Sequence, residues 1–237
     1  MNIAIIGYGK MGKEIEAIAV ARGYKISLTI DVNNRHELTV ENLKKCDVAI
    51  EFTAPETAVN NLKACFAAGT PVVCGSTGWL EKMEEVKADC KAKNGGFFYA
   101  SNYSVGVNVF FKINQYLAKL MSAVDGYSTS VEEIHHTAKK DAPSGTAITI
   151  AEGIMKEISQ LKKWINEAQG AQEELPIVSV RQDPAPGTHT VTYDSDVDTI
   201  TIRHEAKSRK GFALGAVLAA EFMKGKKGCY GMDDMLN

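Results

Sequence analysis

NIAIIGYGKMG, residues Asn2 to Gly12, decides the fold of this chain. Asn2 to Ile6 is a short apolar run of strand character, and a helical pattern runs from Lys13 to Ala21. Between them Gly7-Tyr8-Gly9-Lys10-Met11-Gly12 fits the spacing G-x-G-x-x-G. The glycines permit a tight turn, backbone approach to a pyrophosphate, and close packing of helix on strand. Alone, the motif is a weak signal; its position after a strand and at the start of a βαβ pattern gives it weight. A second strand, Lys25 to Ile30, ends in Asp31, about twenty residues past the last glycine, where a ribose-binding acid belongs. Gly7, Tyr8, Gly9, Lys10, Met11, Gly12 and Asp31 therefore read as a dinucleotide site.

Outward from this unit the alternation continues. Strands are expected at Asp47–Phe52, Pro71–Cys74 and Phe97–Tyr99, with helices at Glu56–Ala68 and Glu81–Lys93. This is the pattern of an α/β, Rossmann-like, doubly wound parallel sheet. Ligands in such sheets bind beyond the carboxyl ends of the strands. Phe52, Thr53, Gly75, Ser76, Thr77, Ala100, Ser101, Asn102 and Tyr103 stand there and join the cofactor candidates. A helix from Ser104 to Met121 then leaves the domain, and a further helix is expected at Phe212–Met223. The expected division is a dinucleotide-binding domain of residues 1–104 plus 209–237 and a second domain of residues 105–208.

The second domain reads as an antiparallel-rich α+β unit. Its strands are expected at Ser130–Ile134, Pro176–Arg181, His189–Tyr193 and Thr199–His204, and Asn166–Glu174 as an exposed connection. His189 and His204 lie on alternating strands and read as structural. Within this domain VEEIHHTAKKDAPSGTA, Val131 to Ala147, concentrates the chemistry. After the strand come His135, His136, Lys139 and Lys140. Ser144 and Gly145 then open a helix with Ala147, Ile150, Ala151, Ile154, Ile158 and Leu161 at helical spacing. A cationic loop beside free N–H groups at a helix start suits an anionic, carboxylate-bearing ligand.

EEIHHTAKKDAPSGTA resembles the signature of the dihydrodipicolinate reductase family: two histidines, a lysine four residues after the first, and D-A-P-S-G-T-A. F-T-x-P, a G-T-T-G motif with Ser76 in place of a threonine, and A-x-N-[FY]-S-V-G-V-N match at the strand ends, so the resemblance covers essentially the whole chain. It implies NADH- or NADPH-dependent reduction of a pyridine dicarboxylate in lysine and diaminopimelate biosynthesis. His135 matches the proton donor/acceptor and Lys139 the proton donor. His136, Gly145 and Thr146 match the dicarboxylate-binding positions, and Ser144 is grouped with them. Lys140 is a helper or a bystander. The resemblance also implies a homotetramer assembled through the second domain's sheet, and a return of the chain to the first domain through the Phe212–Met223 helix. Asp31 favours NADH, with Lys10, Lys13 and Arg35 softening its repulsion of a 2′-phosphate. Arg209 is either a surface cation or a residue that orders a hinge near Ser208–Gly211 or approaches the dicarboxylate.

Composition agrees with an enzyme of this kind. The chain has 237 residues, 45% hydrophobic and 24% charged, with a net charge of −2, which gives no footprint for nucleic acid or an anionic membrane surface. The five cysteines make no C-x-x-C pair and read as reduced thiols of a cytoplasmic protein. A strand follows Met1 at once, so no signal peptide is expected, and the apolar Phe212–Met223 run is too short to span a bilayer. No metal site is expected. Rival readings are another small amino-acid or sugar dehydrogenase, or a non-enzymatic NAD-sensing module; the latter leaves His135 and Lys139 without a purpose.

Overall fold

The computed structural model describes residues 1–208 and 210–237. Arg209, with the roles considered for it, lies outside the described residues. In order the elements are β1 (Asn2–Ile6), α1 (Lys10–Ala21), β2 (Lys25–Ile30), α2 (Val40–Leu43), β3 (Val48–Glu51), α3 (Pro55–Ala68), β4 (Val72–Cys74), α4 (Met83–Ala92), β5 (Gly96–Tyr99) and α5 (Val105–Met121). Then come β6 (Ser128–His135), α6 (Gly145–Glu157), β7 (Lys163–Ile165), β8 (Glu174–Arg181), β9 (Thr188–Asp194), β10 (Thr199–Glu205), α7 (Lys210–Met223), β11 (Gly228–Tyr230) and α8 (Met232–Leu236). The chain separates into two units: Met1–Val105 with Lys210–Asn237, and the stretch from Gly106 up to that return.

The first unit carries a six-stranded parallel sheet in the order β11-β5-β4-β3-β1-β2. Both faces are covered, which is why β3 is buried at every position and reads as an uninterrupted run. On one face Leu62, Phe66, Trp79 and Phe97 pack together with Val86 and Cys90. On the other, Ile15 and Ala19 of α1 and the small residues Ala213, Ala216 and Ala220 of α7 lie over Ile3, Ile5 and Phe98. Arg22 and Glu221 pair at 2.6 Å where α1 meets α7. The strand order reverses at β1, which lies between β2 and β3, so the switch point of the sheet falls between β1 and β3.

The second unit is a five-stranded mixed sheet, β10-β9-β6-β8-β7, with one face packed on α5 and α6. Val131, Ile177, Val191 and Tyr193 meet Ile150, Ile154, Phe110 and Met121 in its core. One-sided covering produces the alternation along β6, β9 and β10. Antiparallel pairing holds for β6–β9 and β9–β10, but β6–β8 and β7–β8 run parallel. The antiparallel ladders are the longer ones, as expected of an antiparallel-rich unit, and α6, between β6 and β8, provides the crossover that the parallel β6–β8 pairing needs. The short elements β7, β11 and α8 were not foreseen, and α6 stops at Glu157, Ile158 and Leu161 packing on the core beyond its end. No helix among the described residues is long and apolar enough to cross a membrane.

Candidate active site

The dinucleotide motif builds a cavity of about 230 Å³ at the β1/β3 switch point. Of the predicted residues, Gly7, Tyr8, Gly9, Asp31, Phe52 and Thr53 line it. Gly7 has φ +98, and a Cβ there would stand 2.0 Å from the Phe52 carbonyl oxygen, so only glycine fits the turn. A Cβ at Gly12 would stand 2.3 Å from the Gly7 carbonyl, so this glycine serves helix–strand packing. Gly9 differs: a Cβ there meets nothing within 4 Å, and as N-cap of α1 it makes no side-chain cap bond. Open space beside an uncapped helix start is what a pyrophosphate requires, and these residues fit a bound dinucleotide. Asp31 caps the turn after β2, its Oδ1 accepting from the Val32 N–H at 2.9 Å, and Arg35 faces the same cavity.

The remaining cofactor candidates sit apart from the cavity lining. Ser76 is buried, and its Oγ accepts the Thr53 N–H at 2.7 Å, tying the loop after β4 to the loop after β3. Tyr103 is buried with its hydroxyl donating to the Cys74 carbonyl at 2.7 Å, and Ala100 is buried beside it. Gly75 leaves room for the Phe52 ring, which a Cβ would approach to 2.1 Å. Met11 packs on the core. Lys10, Thr77 and Ser101 are exposed, and Asn102 accepts the Ser104 N–H at 2.9 Å. Beneath the cavity lies Glu51, fully buried, whose carboxylate accepts from Thr53 Oγ1, from Asn61 Nδ2 at 3.3 Å and from Cys74 Sγ at 3.1 Å. Burial, with Glu51 as second cause, pushes the Cys74 thiol far up, so it stays a neutral donor. Thr57 and Asn61, which the sequence reading omitted, line the cavity from α3.

In the second unit the sheet register assembles a different cluster. Glu133 stands opposite His189 on β9, and His135 opposite Arg181 on β8. Glu133 is fully buried; its Oε1 accepts from the Ser144 N–H at 3.0 Å and from Arg181 Nη2 at 2.9 Å. Its Oε2 lies 2.9 Å from His135 Nδ1. Burial alone would raise the Glu133 carboxyl, but hydrogen bonds involving His135, Ser144 and Arg181 outweigh it and hold the group well below the usual range. The His189 ring packs edge-on against His135 at 5.2 Å, and its Nε2 lies 3.2 Å from Ser144 Oγ. Burial first, and the neighbouring His135 second, lower His189 from 6.5 to about 4, so it is neutral at physiological pH. His189, read from the sequence as structural, touches the cap of α6 and the His135 ring. His204, by contrast, packs against Phe110 at 6.1 Å.

Ser144 caps α6, its Oγ accepting from the Ala147 N–H at 3.2 Å, and a Cβ on Gly145 would meet nothing within 4 Å. The helix start is open, as expected of an anion site. Lys139 is partly buried and pairs with both carboxylate oxygens of Asp141, at 2.8 and 2.9 Å. Lys140 is exposed. The His136 N–H donates to the Ala185 carbonyl at 2.9 Å, bringing the loop after β8 alongside the catalytic-loop candidate. Thr146 follows Gly145 in the first turn of α6.

Models for the two halves of one family match this chain: dihydrodipicolinate reductase N-terminus over residues 1–103 and C-terminus over residues 106–236. The chain belongs to the dihydrodipicolinate reductase family. A 4-hydroxy-tetrahydrodipicolinate reductase of Christiangramia forsetii is 49% identical over 100% of this chain and 98% of its own length. The enzyme of the same name from Geotalea daltonii is 34% identical, covering 97% of this chain and 85% of its own. In fold the chain is similar to a dipicolinate-bound dihydrodipicolinate reductase from Paenisporosarcina sp. TG-14, at TM-score 0.79 and 22% identity, over 99% and 98% of the two chains. As a member of this family the chain is an oxidoreductase dependent on a pyridine nucleotide.

In this family member Glu133, Arg181 and His189 were not among the sequence candidates. One signal was available: Glu133 precedes His135 by two positions on a strand, so both side chains share a face. Arg181 and His189 reach it only through strand register. Glu133, His135 and His189 are also the group that could hold a metal among the described residues, with donor atoms within 4.8 Å. Arg181 already neutralises that carboxylate, and His189 Nε2 is turned to Ser144, so the arrangement suits proton handling better than a dication.

Proposed function

We propose that the protein is a 4-hydroxy-tetrahydrodipicolinate reductase acting in lysine and diaminopimelate biosynthesis. The observation that carries the reading is the coexistence of buried His135 at the end of β6, Lys139 on the loop after it and the open α6 N-terminus, in a chain that also carries the glycine turn. When bound, the nicotinamide supplies the hydride. Gly7, Gly9 and the α1 start hold the pyrophosphate, and Asp31 accepts from the ribose hydroxyls. Gly145, Thr146 and His136, with Ser144 fixing the cap, receive the carboxylates of a pyridine dicarboxylate. Lys139 keeps its charge beside them and stabilises or protonates the developing anion, and His135 exchanges a proton. Asp31 beside Arg35 supports use of both NADH and NADPH, with NADH modestly preferred.

The active form on this reading is a cytoplasmic homotetramer built through the uncovered face of the second unit's sheet, which sedimentation would test. The activity itself is tested by following NADH oxidation while the upstream synthase generates the substrate. Pyridine-2,6-dicarboxylate should raise the melting temperature further once NADH is present. A sugar dehydrogenase or an NAD sensor would show neither response.

A further inference from the structure

The proposed chemistry makes no use of Glu133, yet among the described residues this carboxylate is the most enclosed charged group of the second unit, with 0% exposure. Its two oxygens have separate duties. Oε1 takes the Ser144 N–H and the Arg181 guanidinium, which also donates to the Asp141 carbonyl at 2.6 Å. Oε2 lies 2.9 Å from His135 Nδ1 and 4.0 Å from His189 Nε2, and both Oε2 and Nδ1 are buried without a hydrogen-bond partner among the described residues. A carboxylate oxygen and an imidazole lone pair at that separation, out of water, would repel. A proton on Nδ1 turns the same contact into a charge-assisted hydrogen bond. Gly187 crowds the other side of the ring: with φ +150, its Cβ position lies 3.0 Å from His135 Nε2.

From this arrangement we infer that Glu133 is a positioning residue that holds His135 as the Nδ1–H tautomer, leaving Nε2 as the nitrogen that exchanges the reaction's proton. The inference rests on the assignment of His135 to proton transfer in the proposed function. It extends that assignment by naming the reacting nitrogen and the group that selects it. The register makes the device possible, since Glu133 and His135 are two residues apart on β6 and Arg181 lies opposite His135 on β8. Arg181 keeps Glu133 ionised and keeps the loop carrying Asp141 in place.

The test reads the tautomer directly. Long-range proton–nitrogen spectra of histidine-labelled protein are recorded at about pH 8, above the ordinary histidine range. The His135 signals are identified by their loss in His135→Gln. The expected pattern has a protonated Nδ1 and an unprotonated Nε2. In Glu133→Gln the amide oxygen stays with Ser144 and Arg181, so the amide N–H group faces Nδ1 and the tautomer reverses. Turnover should then fall by about a hundredfold with KM for NADH unchanged. A protonated Nε2 in the wild-type protein overturns the inference whether or not the variant folds. So does normal turnover in Glu133→Gln where His135→Gln is impaired. Normal turnover in His135→Gln itself defeats the proposed catalytic role of His135, and the positioning role falls with it.

Discussion

Lys139 does not await a substrate with its charge free; Asp141, two residues on, holds its ammonium through both carboxylate oxygens at 2.8 and 2.9 Å. Lys139 in turn holds the Asp141 carboxyl below its usual range. An arriving dicarboxylate therefore competes with an internal partner. Lys139→Ala should lower turnover by about a hundredfold or more, and Lys139→Arg should recover only part of it, because guanidinium keeps charge but is a poor proton donor. Asp141→Asn should tighten pyridine-2,6-dicarboxylate binding, measured by calorimetry, while NADH binding stays unchanged. Weaker binding would instead make Asp141 an orienting partner.

Asp31 and Arg35 face one cavity with opposite charge. Asp31→Ala should shift the ratio of kcat/KM for NADPH over NADH upward by about tenfold, some 1.4 kcal/mol. Arg35→Ala should shift it downward. An unchanged ratio in the first variant would remove Asp31 from the ribose site.

The glycines of the turn separate folding from binding. Gly7→Ala places a Cβ 2.0 Å from a carbonyl oxygen at φ +98 and should destabilise the first unit by about 1–3 kcal/mol or more. Gly9→Ala meets no protein atom within 4 Å, so its melting temperature should hold while NADH affinity falls. Equal loss of stability in both would contradict this division.

Acid should weaken the second unit in two stages. His189 titrates at 6.5 when unfolded and about 4 when folded, so the unfolded chain binds a proton that the folded chain excludes. Stability is then full above 6.5 and declines as pH falls towards 4. The depressed Glu133 adds to the loss from its ordinary value of 4.5 downward. Urea midpoints measured against pH should show both stages, and His189→Gln should flatten the upper one.

Local pattern was enough for much of this molecule. The G-x-G-x-x-G turn, Asp31 and the alternating strands and helices are short-range signals, because a βαβ unit is contiguous and its glycines answer to contacts within it. The Ser144 cap and the open start of α6 were legible for the same reason. Other features needed the tertiary structure. Ser76 and Tyr103 share the strand-end positions of the cavity residues, and only the tertiary structure shows the hydrogen bonds that tie them to Thr53 and Cys74. Arg181 and His189 reach Glu133 from β8 and β9, strands that follow it much later in the chain, through a mixed register that no local periodicity encodes. Sequence by itself determined the longer elements and the types of chemistry; the pairing of strands decided which charges share a buried space, because a carboxylate out of water is stable only where its partners converge.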